Sequence, residues 1–100
     1  MFLSGQIALE PKTGKLREGG VEDEARQCLE NLGAVLAARG LGPSDVVKTT
    51  LYLTRMADFE AVNRVYGEFF RDRPPARATV AVAELPRGAR VEIEAIALTR

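Results

Sequence analysis

Val46-Val47-Lys48-Thr49-Thr50-Leu51-Tyr52-Leu53 is followed, after Thr54-Arg55-Met56-Ala57, by Asp58-Phe59-Glu60-Ala61-Val62-Asn63 and then by Tyr66 and Phe69-Phe70. The first block is β-branched and alternates, with Val47, Thr49, Leu51 and Leu53 set against Val46, Lys48, Thr50 and Tyr52. That period of two is the pattern of a half-buried strand. In the second block Phe59, Val62, Tyr66, Phe69 and Phe70 recur at helical spacing, and Asp58 stands where a cap is wanted. Pro74-Pro75 forbids any continuation of that helix.

The same order, strand then helix, stands upstream. Phe2 to Leu9 is short, β-compatible and closed by the turn signature Pro11-Lys12-Thr13-Gly14. Gly19-Gly20 precedes the acidic run Glu22-Asp23-Glu24, which suits the positive end of a helix dipole. From there Ala25, Cys28, Leu29, Leu32, Val35 and Leu36 mark one helix face, and Gly40 with Gly42-Pro43 stops it. Downstream, residues 76–83 and 90–98 have the character of two further strands. Leu85-Pro86-Arg87-Gly88-Ala89 between them predicts an antiparallel pair. The order β-α-β-α-β-β predicts an α+β two-layer sandwich, two helices covering one face of a four-stranded mixed sheet.

The uncovered face of that sheet bears on function. Ala78, Val80 and Val82 alternate with Arg77, Thr79 and Ala81, and Val91, Ile93, Ala95 and Ala97 with Glu92, Glu94, Ile96 and Leu98. With the branched apolar sets toward the helices, the open face carries Arg77, Thr79, Glu92, Glu94, Ile96 and Leu98. It is too apolar at one end for simple exposure. Self-association through this face is the expectation, with the charged half lining clefts between subunits.

Composition narrows the chemistry. The 100 residues, 46% hydrophobic and 28% charged, fit one domain spanning residues 1–100. There is no histidine, so Ser-His-Asp and Cys-His nucleophiles, histidine metal ligands and a histidine base are all excluded. The single cysteine, Cys28, excludes an intrachain disulfide and a cysteine-rich zinc site, and its position on the apolar helix stripe marks it as core. Fourteen basic residues balance fourteen acidic ones, so neither nucleic acid nor an anionic membrane is favoured electrostatically. No apolar run approaches the length of a membrane span, and Met1-Phe2-Leu3-Ser4-Gly5-Gln6 lacks the features of a signal peptide. A reducing cytoplasm is the expected compartment.

Several stretches resemble one family. Pro75-Ala76-Arg77-Ala78-Thr79-Val80, then Leu85-Pro86-Arg87-Gly88, then Val91-Glu92-Ile93-Glu94-Ala95-Ile96-Ala97 resemble the C-terminal signature of the RidA (YjgF) family. Ser4-Gly5-Gln6-Ile7, Asp45-Val46-Val47-Lys48-Thr49-Thr50 and the Asp58 to Phe70 helix are similar to its earlier motifs. They occur in order over essentially the whole chain. The resemblance implies a chorismate-mutase-like α+β domain, assembled as a homotrimer with ligand clefts between subunits. It also implies hydrolytic deamination of reactive 2-imino and 2-enamino acids, of the 2-aminoacrylate type, to 2-oxo acids and ammonia, without cofactor or metal.

The resemblance assigns residues, and the chemistry agrees with them. Arg77 matches the substrate-binding arginine, and a guanidinium fork grips a planar carboxylate bidentately as lysine cannot. Glu92 matches the water-activating glutamate; imine hydrolysis needs such a carboxylate to move protons. Glu94 has the same strand parity, so spacing leaves the two undecided and the motif position selects Glu92. Gly5 permits close backbone approach, and its N–H is a candidate donor to the substrate. Thr79 stands where family members often carry cysteine, and brings a hydroxyl donor in its place. Ser4 and Asn63 match polar cleft positions. Tyr66 fits the core stripe and Tyr52 is unplaced.

Two other functions compete with deamination: a non-catalytic module binding small carboxylates or a protein, and a ribonuclease or translation inhibitor, disfavoured by the balanced charge. In family members a further strand and a G-P-Y segment, whose tyrosine reaches the cleft, precede S-G-Q-I. Here Met1 stands just before that strand, which implies either a start assigned late or a shortened member with an incomplete cleft and an unpaired sheet edge.

Overall fold

Each apolar period becomes an element with one buried side. The computed structural model describes residues 1–99, with strands β1 (Phe2–Gln6), β2 (Val46–Leu53), β3 (Ala76–Ala81) and β4 (Val91–Ala97) and helices α1 (Val21–Ala37) and α2 (Phe59–Phe69). Single 3-10 turns precede β2, α2 and β4. α1 opens with the Gly20 N–H donating to the Asp23 carboxylate at 3.3 Å. It closes with Gly40 in the left-handed conformation (φ 71°) and the Leu41 N–H reaching back to the Leu36 carbonyl at 2.9 Å. This is the glycine stop that the sequence announced. Asp58 occupies the cap position of α2, with no side-chain hydrogen bond to the helix.

The sheet is mixed, in the order β1-β4-β2-β3. β4 runs antiparallel between β1 and β2, and β2 pairs in parallel with β3. The expected direct pairing of the last two strands does not occur. The physical reason lies in the connections. β2 and β3 are joined through α2, the crossover that a parallel pair requires. Residues 82–90 are longer than a tight hairpin, and they step over the end of β2: the Val82 N–H donates to Leu53 O at 2.8 Å and the Thr54 N–H to Arg90 O at 3.1 Å. β4, whose Val91, Ile93, Ala95 and Ala97 are all buried, takes the central position and leaves β3 at the edge.

Both helices lie on one face, as the α+β sandwich requires. Ala25, Cys28, Leu29, Leu32 and Leu36 of α1 pack with Leu51 and Leu53 of β2, the buried residues of β4, and Val62, Val65 and Tyr66 of α2. Three side chains depart from the expected stripes. Val35 lies off the buried edge of α1 and is exposed, Val65 joins the core of α2, and Val47 is exposed. The last follows from an irregularity: Val46 faces Ala97 and Lys48 faces Ile96, so one extra residue bulges from β2 and Val46 turns inward.

A larger correction concerns β3. Its register sets Arg77 beside Thr49 and Thr79 beside Leu51, so Arg77, Thr79 and Ala81 point to the helix side. Ala78 and Val80 point to the open face, the reverse of the expected parity. An edge strand makes only weak demands on the core, and the aromatic rings of α2 accommodate the arginine. The open face therefore exposes Phe2, Val80 and Ile96 around Lys48, Thr50, Tyr52, Glu92 and Glu94.

Candidate functional site

The predicted site residues fall into two groups. The first is built on β1 and β4. Leu3 faces Ala95 and Gln6 faces Ile93, so Ser4 and Gly5 together oppose the single residue Glu94. Such a two-for-one bulge twists a strand and re-aims what it carries. A β-carbon on Gly5 would collide with the Glu92 carboxylate, so the absence of a side chain at Gly5 is what lets Glu92 lie against the β1 backbone. Ser4 is exposed and lines an open concavity of about 330 Å³ with Phe2, Lys48, Thr50, Glu94 and Ile96.

Tyr52 belongs to this group, although the sequence left it unplaced. It is the cross-strand partner of Glu92, and its hydroxyl donates to Glu94 Oε1 at 2.7 Å. That hydrogen bond, with smaller contributions from burial and the two nearby carboxylates, raises the phenol above its ordinary pKa. Glu94 is thus already engaged within the chain. Alternation of β2 was the available signal, since it puts Tyr52 on the face opposite Leu51 and Leu53.

The second group is built on β3 and α2. The Arg77 guanidinium lies over two rings, its Cζ 4.8 Å from the Tyr66 centroid and 5.3 Å from that of Phe59. Its Nη1 donates to Asn63 Oδ1 at 2.5 Å. Thr79 is next on the same side of the strand and borders a shallow depression of about 520 Å³ with Met56, Ala57, Phe59 and Glu60. Behind Arg77, the Tyr66 hydroxyl and Thr49 Oγ1 form a buried hydrogen bond of 2.7 Å. Burial raises the Tyr66 phenol, partly offset by that bond and by the Arg77 charge. Phe59 and Tyr66 were visible in the sequence only as core.

Within one chain the two groups do not meet. Arg77 and Thr79 face the helices, whereas Glu92 faces the open side, so the expected shared face of Arg77 and Glu92 is overturned by the β3 register. Asn63 joins Arg77, and Ser4 and Gly5 join Glu92.

Two buried groups support the arrangement. Glu24 of α1 accepts the Arg90 backbone N–H at 2.9 Å and pairs with the Arg90 guanidinium at 3.1 Å, tying down the start of β4 two residues before Glu92. Cys28 is fully buried in the core, and its thiol is pushed up to about 12, chiefly by burial and then by the Glu24 and Glu92 charges. Among the described residues no three His, Cys, Asp or Glu side chains gather to hold a metal, and no helix is long and apolar enough to cross a membrane.

Comparison with known proteins adds a second line of support. A family model described as endoribonuclease L-PSP matches residues 1–99. A mouse protein named 2-iminobutanoate/2-iminopropanoate deaminase is 52% identical over 98% of this chain and 73% of its own length. A solved structure from Thermotoga maritima superposes with a TM-score of 0.96 at 49% identity, covering 99% of this chain and 78% of that one. The crystal structure of the Escherichia coli YjgF gene product gives a TM-score of 0.92 at 44% identity, covering 99% and 80%.

Proposed function

The chain belongs to the RidA (YjgF) family, the family of the endoribonuclease L-PSP model, and from that premise we propose that it hydrolyses reactive 2-imino and 2-enamino acids to 2-oxo acids and ammonia. One observation carries the proposal. The motif residue Arg77 lies over aromatic rings and Glu92 lies against Gly5, in a chain half-identical to a protein named as such a deaminase.

The chemistry follows from these groups. The free edge of the Arg77 fork takes the substrate carboxylate, with the Thr79 hydroxyl and the Gly5 N–H as further donors. An enamine first gains a proton at its terminal carbon and becomes the iminium. Glu92 then removes a proton from water as the oxygen attacks the iminium carbon, and returns that proton to nitrogen. Ammonia departs as the C–N bond breaks, and Glu92, again a carboxylate, takes the hydroxyl proton as the carbonyl forms. Asn63 and Ser4 orient the ligand and its water from the two sides.

A small substrate held by Arg77 on the helix side cannot reach Glu92 through the sheet of the same chain. The active cleft therefore forms between copies, Arg77, Thr79 and Asn63 from one and Glu92, Gly5 and Ser4 from the next. The apolar open face supplies the contact. A head-to-tail contact of this kind closes as a ring, and three copies are the closure that the family resemblance suggests. A reducing cytoplasm is the proposed compartment, consistent with a lone buried thiol.

The test is ammonia release from freshly generated 2-aminoacrylate. The wild-type chain is expected to turn it over, and Arg77→Ala to lose roughly a hundredfold or more in kcat/KM. Equal rates would remove Arg77 from the mechanism. Tight 2-oxo acid binding with no turnover would favour the binding module, and steep salt dependence of RNA binding would favour a ribonuclease.

A further inference from the structure

Phe59, Asn63 and Tyr66 stand at i, i+4 and i+7 of α2, one stripe along the helix that runs beside the edge strand β3. All three touch Arg77, Phe59 and Tyr66 through their ring faces and Asn63 through Oδ1. An arginine on an exposed edge strand would otherwise sample many rotamers. Here the guanidinium lies over two aromatic rings and its Nη1 donates to Asn63, which leaves its other N–H groups for a carboxylate.

The rings are themselves fixed. Tyr66 is buried and its hydroxyl is bound to Thr49 Oγ1 at 2.7 Å. Thr49 is the β2 residue in register with Arg77. A closed circuit therefore runs from the β2 backbone through Thr49 and the Tyr66 ring to the guanidinium, and back through the β3 backbone. Lysine at position 77 could neither stack so nor present a fork.

We infer that Tyr66, with Phe59, is a positioning residue that sets the plane of the Arg77 guanidinium, and so tunes affinity for the substrate carboxylate without touching substrate. The inference rests on the proposed role of Arg77 as carboxylate anchor. It goes beyond that role by assigning the binding strength to an aromatic platform on α2.

A double-substitution cycle tests it, reading KM and kcat for 2-aminoacrylate and the inhibition constant of pyruvate, with thermal melts as control. Tyr66→Leu is expected to raise both constants about tenfold with kcat changed far less. Tyr66→Phe, which keeps the ring, recovers most of the loss although it melts earlier. Phe59→Leu, at the half-buried start of the helix, gives a smaller rise and carries the test alone if Tyr66→Leu does not fold. In an Arg77→Ala background these substitutions have no further effect on KM, whereas a merely structural role would add its cost in both backgrounds. Wild-type KM in both leucine variants, or an equal increase in the Arg77→Ala background, would overturn the inference while leaving Arg77 as anchor. A wild-type KM in Arg77→Ala would remove the anchor and the platform's role together.

Discussion

Gly5 and Glu92 show how one hydrogen in place of a side chain can make room for a carboxylate, here the proposed base. A β-carbon at position 5 takes the space of the Glu92 carboxylate, the mobile end of a flexible side chain. Gly5→Ala is therefore expected to lower kcat by roughly ten- to a hundredfold through displacement of Glu92, while the melting temperature hardly moves. An unchanged kcat would show that Glu92 acts from another orientation. Cys28 gives a prediction in pH. Its thiol titrates at about 12 in the fold against 9.0 when free. Because the raised value favours the protonated form, the stability linked to Cys28 is complete below pH 9 and is lost as pH rises from there toward 12. Chemical unfolding at stepped pH is expected to show this fall, and it is shallower in Cys28→Ala. At neutral pH thiol reagents are expected to leave turnover intact and to label Cys28 only on unfolding; loss of turnover on labelling of the folded protein would contradict its burial. At this scale the sequence singled out residues whose type carries chemistry, and the structure brings Asn63 to Arg77 and Gly5 to Glu92. It marked Tyr66 and Phe59 only as core, because an aromatic that packs a core and one that supports a guanidinium share the same periodicity.

The elements explain why some pairings were legible and others not. β2 and α2 follow directly from alternation and helical spacing, and their bounds fall close to the Val46–Leu53 and Asp58–Phe70 blocks. The expected β3–β4 pairing does not form, because α2 returns the chain to the free side of β2 and the short 82–90 segment crosses the end of β2. α2 supplies the crossover that a parallel β2–β3 pair requires, and β2 has only two sides, one taken by β4 and the other by β3. The parity of β3 failed for the same cause, since an edge strand inherits its facing from its register with β2 and not from its own apolar residues. The tie between α1 and β4 was invisible in the sequence, yet it has a measurable weight. Glu24→Ala leaves the Arg90 N–H without its acceptor and frees the start of β4. The expected cost is about 1–2 kcal/mol, discounted for the half-exposed Arg90 side chain. A lower kcat is expected to accompany it, read beside a denaturant melt. An unchanged melt would mean that β4 is held by its ladder alone.

At the scale of the whole molecule, the open sheet face and the proposed cleft between copies account for each other. Phe2, Val80 and Ile96 are exposed on the side where Glu92 and Glu94 emerge, and Arg77 waits on the other side of the sheet at the β3 edge. The sequence predicted a partly apolar open face, because half-apolar strands with both faces patterned cannot all be covered by two helices, and Phe2, Val80 and Ile96 are exposed there. It did not foresee that the two key residues would be separated, since that depends on the register of a single edge strand. Val80→Glu places a charge in the proposed contact and is expected to lower the mass in solution and the turnover together, with the far-UV spectrum unchanged; full turnover from a monomer would place the whole site in one chain. The most direct measurement mixes two inactive variants, Arg77→Ala and Glu92→Gln, by co-refolding them in equal amounts and assaying 2-aminoacrylate hydrolysis. A cleft shared between copies pairs an intact Arg77 with an intact Glu92 in some mixed assemblies, and the mixture regains activity, about a quarter of wild type for random association in a ring. Activity no greater than that of the separate variants would contradict the shared cleft.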